Sequence, residues 1–209
     1  MYPIVQAPKE ILRQTAKPVD PAMPGLEKII ADMKQTLLSQ DDPEGVGLAA
    51  NQVGLPYRLF LARFSTKKTE PVRVFLNPEI VEHSQDLITE DKKTPLEGCL
   101  SLPAYYGIVK RWKWVKVKYQ TISNNPTPMG TNSQKPNSKL TIDNWNLENG
   151  VGNWIIDRFD GFPATVVQHE LDHIDGRIFV ERILEQKGKL YKVTGKDKKG
   201  KEMWEEVEL

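Results

Sequence analysis

The chain has 209 residues, of which 39% are hydrophobic and 27% are charged, which predicts one globular domain with its own core. The formal net charge of +1 excludes an overall field that would attract DNA or an anionic membrane. We expect neither a secretory signal nor a transmembrane helix, and the single cysteine excludes an internal disulfide, so the composition favours a cytoplasmic protein.

The first 120 residues of the chain predict one helix and three strands. Apolar residues recur at helical spacing over Leu26–Leu38 with charged residues between them, as in an amphipathic helix. A Pro-Gly pair precedes this segment and an Asp-Asp-Pro sequence follows it, which marks both ends. Strand-like runs follow at 57–64, 72–76 and 113–119. In the last run apolar residues alternate with lysines, as in a strand with one buried face.

The second half predicts a loop, two hairpins and a helix. Residues 121–139 are rich in Asn, Pro, Thr and Ser, which favours an exposed loop. Segments 140–147 and 154–159 flank an Asn-Gly turn, as the two strands of a hairpin do. A helix is predicted over 163–174, and alternation over 190–194 predicts a hairpin in the charged tail. Short strands around one strong helix indicate an α+β fold.

The strongest local motif is His169-Glu170-Leu171-Asp172-His173. Residues four apart on a helix share one face, so two imidazoles at this spacing can bind one metal ion. Glu170, next along, can reach a water on that ion. The chain has three histidines, and two of them fall in this motif, so a chance match is the less favoured interpretation. The motif therefore predicts a metal site.

A catalytic ion of this kind needs a third protein ligand and an open position for water. Phe179 stands where metzincin proteases have a third histidine, so that option fails. Glu181 and Glu185 are the nearest glutamates, but no further helix is predicted after them, and His83 has a surface-like setting. Cys99 remains. A lone cysteine is more often a buried apolar residue, but its Gly and Pro neighbours predict a specially shaped turn.

A third motif, Gly45-Val46-Gly47-Leu48-Ala49-Ala50-Asn51-Gln52, is rich in small residues. It superficially matches the dinucleotide-binding fingerprint, but that interpretation requires a strand before the glycines, and a helix is predicted there. A tight backbone crossing in the core is the simpler structural interpretation. The functional interpretation is that backbone groups approach a ligand, with Gln52 as an amide donor.

Together the three motifs, at residues 45–52, 97–103 and 168–173, resemble the peptide deformylase family. The resemblance spans residues 1–184 and extends to Pro8, Leu12, Arg13, Tyr106, Gly107 and Arg111. It implies antiparallel β-sheets around a central helix that bears the HExxH motif. We therefore predict a catalytic domain at 1–184, with an atypical loop and hairpin insertion at 121–159, and a charged tail at 185–209.

The resemblance also implies an activity and a cofactor. Family members remove the formyl group from the N-terminal formylmethionine of newly synthesised polypeptides and release formate. Cys99, His169 and His173 would hold one divalent ion, usually Fe(II) in the cell. A thiolate with imidazoles also accepts Zn, Ni or Co.

The resemblance implies roles for further residues around the ion. Glu170 would take a proton from the catalytic water and pass it to the leaving amine. The side-chain amide of Gln52 and the backbone N–H of Leu100 would bind the oxyanion. Glu97 and Arg111 match an internal ion pair of the family.

The predicted substrate site consists of a methionine pocket and a backbone contact. Val46, Phe162 and Val166 match positions that line the pocket in the family, and Val166 also shares the metal face of the helix with His169. Gly47 would let the peptide backbone come close and pair as an added strand. N-formylmethionyl nascent peptides are the predicted partners. The Lys-rich tail is interpreted as a solvated hairpin, with weak ribosome contact as the alternative.

Two other functions are compatible with parts of the sequence. A cysteine hydrolase would use Cys99 with a histidine as its base, but such an enzyme does not need the HExxH motif. A binding protein that kept the fold would not need the three ligands together with Glu170 and Gln52.

Overall fold

The computed structural model describes residues 1–41, 44–67, 69–88, 96–122 and 154–208. In these residues the helices are α1 (Leu26–Leu38), α2 (Phe162–Ile174) and α3 (Phe179–Glu185), with short 3-10 helices at Glu10–Arg13 and Ala50–Val53. The strands in chain order are β1 (Gly47–Ala49), β2 (Leu59–Ala62), β3 (Arg73–His83), β4 (Glu97–Cys99), β5 (Leu102–Gly107), β6 (Trp114–Gln120), β7 (Trp154–Asp160), β8 (Leu190–Lys196) and β9 (Glu202–Val207).

The strands form two antiparallel sheets. The larger sheet has the order β1-β2-β3-β6-β7, and the smaller sheet has the order β4-β5-β8-β9. Neighbouring strands are antiparallel throughout both sheets, which confirms the predicted α+β fold. Within the described residues, β1 and β4 are outer strands of their sheets. None of the helices described is long and apolar enough to cross a membrane.

The helix with the HExxH motif, α2, packs on the larger sheet because both elements present an apolar face. Val115, Val117 and Tyr119 of β6 are buried at every second position, as the alternation with lysines predicts. They belong to the same core cluster as Val167 and Ile174 of α2, which are fully buried. This packing holds the helix, and with it both motif histidines, in a defined place against the sheet.

Two further core clusters complete the described fold. Helix α1 has the predicted bounds and buries Ile30, Met33 and Leu37 in a cluster with apolar residues of β2 and β3. The third cluster joins the smaller sheet to α3 and contains Cys99, Val109, Phe179, Ile183 and Leu190. Cys99 thus stands at the boundary between an apolar core and the histidines of α2.

The charged tail forms the hairpin of β8 and β9, in agreement with the alternation over 190–194. Strand β8 also pairs with β5, so the hairpin is an integral part of the smaller sheet. The proposed domain boundary between residues 184 and 185 stays a prediction.

The predicted insertion lies mostly outside the described residues. Strand β7 covers the predicted strand at 154–159 and pairs along its length with β6. The predicted partner strand at 140–147 and the loop at 123–139 lie outside the described part of the chain. Helix α2 begins at Phe162, one residue before the predicted start.

Candidate active site

Three side chains from two elements converge beside α2. Cys99 ends β4 where the pairing with β5 shifts register, and His169 and His173 lie one turn apart on α2. The Sγ of Cys99 is 3.1 Å from Nε2 of His173, and the ligand atoms of all three residues lie within 4.8 Å of one another. In the part of the chain that the structure describes, this is the one group of potential metal ligands with such geometry.

The other candidates for a third ligand have different surroundings. His83 stacks on Trp112, with 3.8 Å between the ring centroids. Glu181 accepts a backbone hydrogen bond at the start of α3, and Glu185 forms an ion pair with an arginine. Cys99 is therefore the side chain that the fold brings to the histidines, as elimination in the sequence indicated.

The donor set fits one divalent ion. Burial opposes ionisation of Cys99, but the two histidines outweigh it and hold the pKa of the thiol well below its usual range. Burial lowers the pKa of His169, but Cys99 and Glu97 outweigh it and raise that pKa well above its usual range, so an ion that binds here displaces a proton. Nδ1 of His169 is 3.0 Å from an oxygen of Glu97, which leaves Nε2 as the ligand atom.

A buried ion cluster orients His169 through Glu97. Arg111 donates hydrogen bonds from Nε and Nη2 to the two carboxylate oxygens of Glu97, each at 2.8 Å. Its Nη1 donates to Asp172 at 2.6 Å, and Nε of Arg182 donates to the same carboxylate at 3.1 Å. Burial raises the pKa of Glu97, but Arg111 outweighs burial and lowers it to about 2. Glu97 is therefore a carboxylate that accepts a hydrogen bond from His169.

Glu170 lies beside the ligand cluster with a buried side chain. Its Oε2 has no hydrogen-bond partner among the described residues. Burial raises the pKa of Glu170 to about 7, although His169 and His173 oppose this shift. A Cβ atom on Gly47 of β1 would lie 2.1 Å from Oε1 of Glu170, so a glycine at this position leaves room for the carboxylate. Gly47 was predicted from the sequence to let the substrate backbone come close, and the structure shows that it also makes room for Glu170.

Gln52 extends from the second 3-10 helix toward the Cys99 turn. Its Oε1 accepts a hydrogen bond from the N–H of Ala49 at 2.8 Å, which orients the amide. Its Nε2 lies 3.5 Å from Sγ of Cys99 and 3.3 Å from Oγ of Ser101. Leu100, between these two residues in sequence, lines the same cavity as Gln52. The fold therefore brings the side-chain amide of Gln52 next to the ligand cluster, although Gln52 and Cys99 belong to distant segments of the chain.

A cavity of about 220 Å³ opens at these groups. His173 is 1% exposed and does not line the cavity, whereas the other predicted site residues all line it: Val46, Gly47, Gln52, Cys99, Leu100, Phe162, Val166, His169 and Glu170. Leu96, Gly98, Tyr106 and Thr165 also line it. The cavity thus combines apolar walls with a buried carboxylate, an amide donor and two of the three potential metal ligands, which suits hydrolysis of a carbonyl compound that carries an apolar group.

Comparisons with known proteins agree on one family. The model of the polypeptide deformylase family matches residues 1–133 and 139–189. A peptide deformylase of Chromobacterium violaceum is 34% identical over 200 residues, which cover 96% of this chain and 97% of that relative. The crystal structure of the peptide deformylase from Thermotoga maritima has a TM-score of 0.65 at 30% identity and covers 87% of this chain and 97% of that one. A Met-Ala-Ser-bound class I type b peptide deformylase from Acinetobacter baumannii has a TM-score of 0.64 at 31% identity, with 87% and 98% covered.

The chain belongs to the polypeptide deformylase family. This membership confirms the predicted enzyme class, a hydrolase that removes the N-formyl group from the formylmethionine of polypeptides. The family is metal-dependent, and Cys99, His169 and His173 form a cluster that could bind a metal ion. The metal-dependent hydrolase is therefore favoured over the cysteine hydrolase and the non-enzymatic binding protein.

The sequence of this peptide deformylase did not indicate part of the ion cluster or part of the cavity. The pair of Glu97 and Arg111 is present as the resemblance implied, but Asp172 and Arg182 extend it. Asp172 stands within the HExxH motif next to a ligand, which is a signal for a supporting acid. The family resemblance includes Tyr106 but implies no role for it, because its place at the cavity follows from the pairing of β4 with β5.

Replacing Arg111 by methionine is expected to destabilise the deformylase fold by about 3–5 kcal/mol, because Glu97 and Asp172 would remain as buried carboxylates without their shared partner. The side chain of Arg111 is 4% exposed. Chemical denaturation followed by tryptophan fluorescence measures the change. The control is Arg158→Met, which removes an exposed pair with Asp160 and should change stability by less than about 1 kcal/mol. Equal losses in both variants would contradict the importance of the buried cluster.

Proposed function

We propose that this deformylase hydrolyses its formamide substrate with Glu170 as the proton carrier beside an ion held by Cys99, His169 and His173. One observation carries the proposal. The three ligand atoms lie within 4.8 Å of one another, next to a buried carboxylate whose Oε2 has no hydrogen-bond partner among the described residues. A formamide is unactivated, so its hydrolysis needs both an activated water and stabilisation of the developing oxyanion.

One divalent ion is the cofactor in this proposal. A thiolate with two imidazoles suits Fe(II), Zn, Ni or Co, and the family resemblance favours Fe(II) as the resident ion. When bound, the ion supplies a Lewis acid that polarises the formyl carbonyl and lowers the pKa of water. The protein contributes a fixed ligand geometry, because Arg111 holds Glu97 and Glu97 holds the ring of His169.

Glu170 carries the proton in the proposed reaction. Its carboxylate accepts a proton as the water oxygen attacks the formyl carbon, and returns that proton to the amine nitrogen as the C–N bond breaks. The products are formate and a peptide with a free N-terminal amine. The space left by Gly47 allows the carboxylate to take this place beside the ligand cluster.

The oxyanion of the tetrahedral intermediate would be bound by Gln52 and Leu100. The N–H of Ala49 occupies Oε1 of Gln52, so Nε2 is the atom turned toward Cys99. The backbone N–H of Leu100 directly follows the cysteine in the β4–β5 connection. Two donors that are held in place before the reaction need no reorganisation when negative charge develops.

The methionine side chain would occupy the apolar part of the cavity, against Val46, Phe162 and Val166. The peptide backbone would lie between the cavity-lining strands β1 and β4, which are both outer strands in the described residues. An extended peptide can add to such an edge through backbone hydrogen bonds, and Gly47 permits its close approach. The Met-Ala-Ser complex of the Acinetobacter baumannii relative supports a peptide in this cavity.

A chelation experiment tests the proposed function. Removing the metal with a tight chelator is expected to abolish formate release from formyl-Met-Ala-Ser, and Fe(II) added back without oxygen should restore it. Metal analysis of each sample provides the occupancy of the site. Alkylation of Cys99 should also abolish activity, but Fe(II) should not restore it in that case. Full turnover in metal-free protein would overturn the proposal and favour a cysteine hydrolase.

We also expect the enzyme to act in the cytoplasm, where new polypeptides carry the formyl group. Weak ribosome contact through the Lys-rich tail stays a prediction. The lysines of β8 stand next to acidic residues of β9, as in the pair of Lys192 and Glu205, which reduces the net positive charge of the hairpin.

A further inference from the structure

The smaller sheet carries an aromatic face that adjoins the cavity. Tyr106 of β5 lines the cavity, and it stands opposite Gly98 of β4 and Tyr191 of β8. Trp204 of β9 stands opposite Val193, two residues after Tyr191, so its side chain lies on the same face as Tyr106. The two rings meet edge to face, with 5.1 Å between their centroids. Trp204 thus continues the cavity wall onto the C-terminal hairpin.

Gly98 allows this aromatic face to reach the reacting centre. A Cβ atom on Gly98 would lie 2.5 Å from Cε1 of Tyr106, so the tyrosine ring lies directly against the strand that ends in Cys99. A peptide that enters the cavity along β4 with its formyl group near Cys99 has its later residues beside Gly98 and Tyr106. An extended chain advances about 3.3 Å per residue, so the residues after the methionine soon leave the cavity and meet the hairpin.

We propose that Trp204, together with Tyr106, binds an apolar side chain of the substrate beyond the second residue of the formylated peptide. This inference rests on the proposed function of the cavity. Trp204 is 43% exposed, but single exposed aromatic rings are common and do not by themselves indicate a binding site. Trp204 differs from such rings because it contacts Tyr106, which lines the cavity. Glu206 on the same face is paired with Lys189 at 2.9 Å, which favours an apolar rather than a charged side chain.

Substrates of different length test the proposal. The short substrate is formyl-Met-Ala amide, and the long substrates are formyl-Met-Ala-Phe-Ala amide and formyl-Met-Ala-Ala-Phe amide. In Trp204→Ala, kcat/KM for at least one long substrate should fall about three- to tenfold through a higher KM, as expected for the loss of one aromatic contact. The ratio of kcat/KM for that long substrate to kcat/KM for the short substrate should fall accordingly. Trp204→Phe should restore most of this ratio, because it keeps an aromatic ring.

A matched control is Trp154→Ala, since Trp154 is 37% exposed on β7 of the other sheet. This variant is expected to keep the wild-type ratio of long to short substrate. A ratio that is also unchanged in Trp204→Ala would overturn the proposed subsite, as would an equal loss on the short and long substrates. Failure of the wild-type enzyme to release formate from any of the three peptides would instead refute the proposed function, so the two failures are distinguishable.

Discussion

Replacing Glu170 by glutamine is expected to lower kcat for formate release by about 10²- to 10⁴-fold, the usual contribution of general acid–base catalysis. Glutamine keeps the size of the side chain but can no longer accept the proton of the attacking water. Metal content should be unchanged, because Cys99, His169 and His173 supply the ligand atoms. Steady-state kinetics with formyl-Met-Ala-Ser and metal analysis of the same preparation measure both quantities.

The control for this variant is Glu10→Gln, which changes an exposed carboxylate in the first 3-10 helix. We expect its kcat to equal that of the wild type. Normal turnover in Glu170→Gln with full metal occupancy would contradict the role of Glu170 as proton carrier. Loss of metal in Glu170→Gln would show that the residue supports the ligand cluster instead.

Replacing Gly47 by alanine should also impair the chemical step, although Gly47 contributes no side chain to the reaction. The added Cβ would lie 2.1 Å from Oε1 of Glu170 and 2.6 Å from Cδ, so the carboxylate must shift. A displacement of about 1 Å at a catalytic group can lower the rate about 100-fold, and we expect a loss of this order in kcat. If Gly47 serves the substrate backbone alone, KM should rise while kcat stays at the wild-type value.

A double-mutant cycle separates these two roles of Gly47. Glu170→Asp shortens the carboxylate side chain by one methylene, which makes room for the added Cβ atom. The loss caused by Gly47→Ala should therefore be smaller in the Glu170→Asp background than in the wild type, as expected for residues in contact. Gly188→Ala is the control, because a Cβ at that position would meet its nearest neighbour at 3.4 Å. If the losses caused by Gly47→Ala and Glu170→Asp were strictly additive, the close approach of residue 47 to the Glu170 carboxylate would have no catalytic consequence.

Much of the candidate site could be predicted from the sequence, because its strongest part is local. Because His169 and His173 are four residues apart, they lie on one face of a helix whatever the rest of the fold does. Cys99 stands 70 positions before His169, because 169 − 99 = 70, which is too far for a local pattern. It could be joined to the two motif histidines by elimination and by the family resemblance. The supporting residues Asp172 and Arg182 became part of the site in the folded chain, where Asp172 pairs with Arg111 and Arg182 pairs with Asp172.

Four features of the fold could be predicted from local sequence: helix α1, helix α2, the one buried face of β6 and the hairpin of β8 and β9. Each depends on a periodic pattern of apolar residues, which is a local property of the chain. Three other features become visible in the folded chain alone: Gly47 makes room for Glu170, Glu97 holds His169, and Trp204 continues the cavity wall beside Tyr106. These contacts join segments far apart in sequence, so they depend on sheet register and side-chain packing rather than on any local pattern.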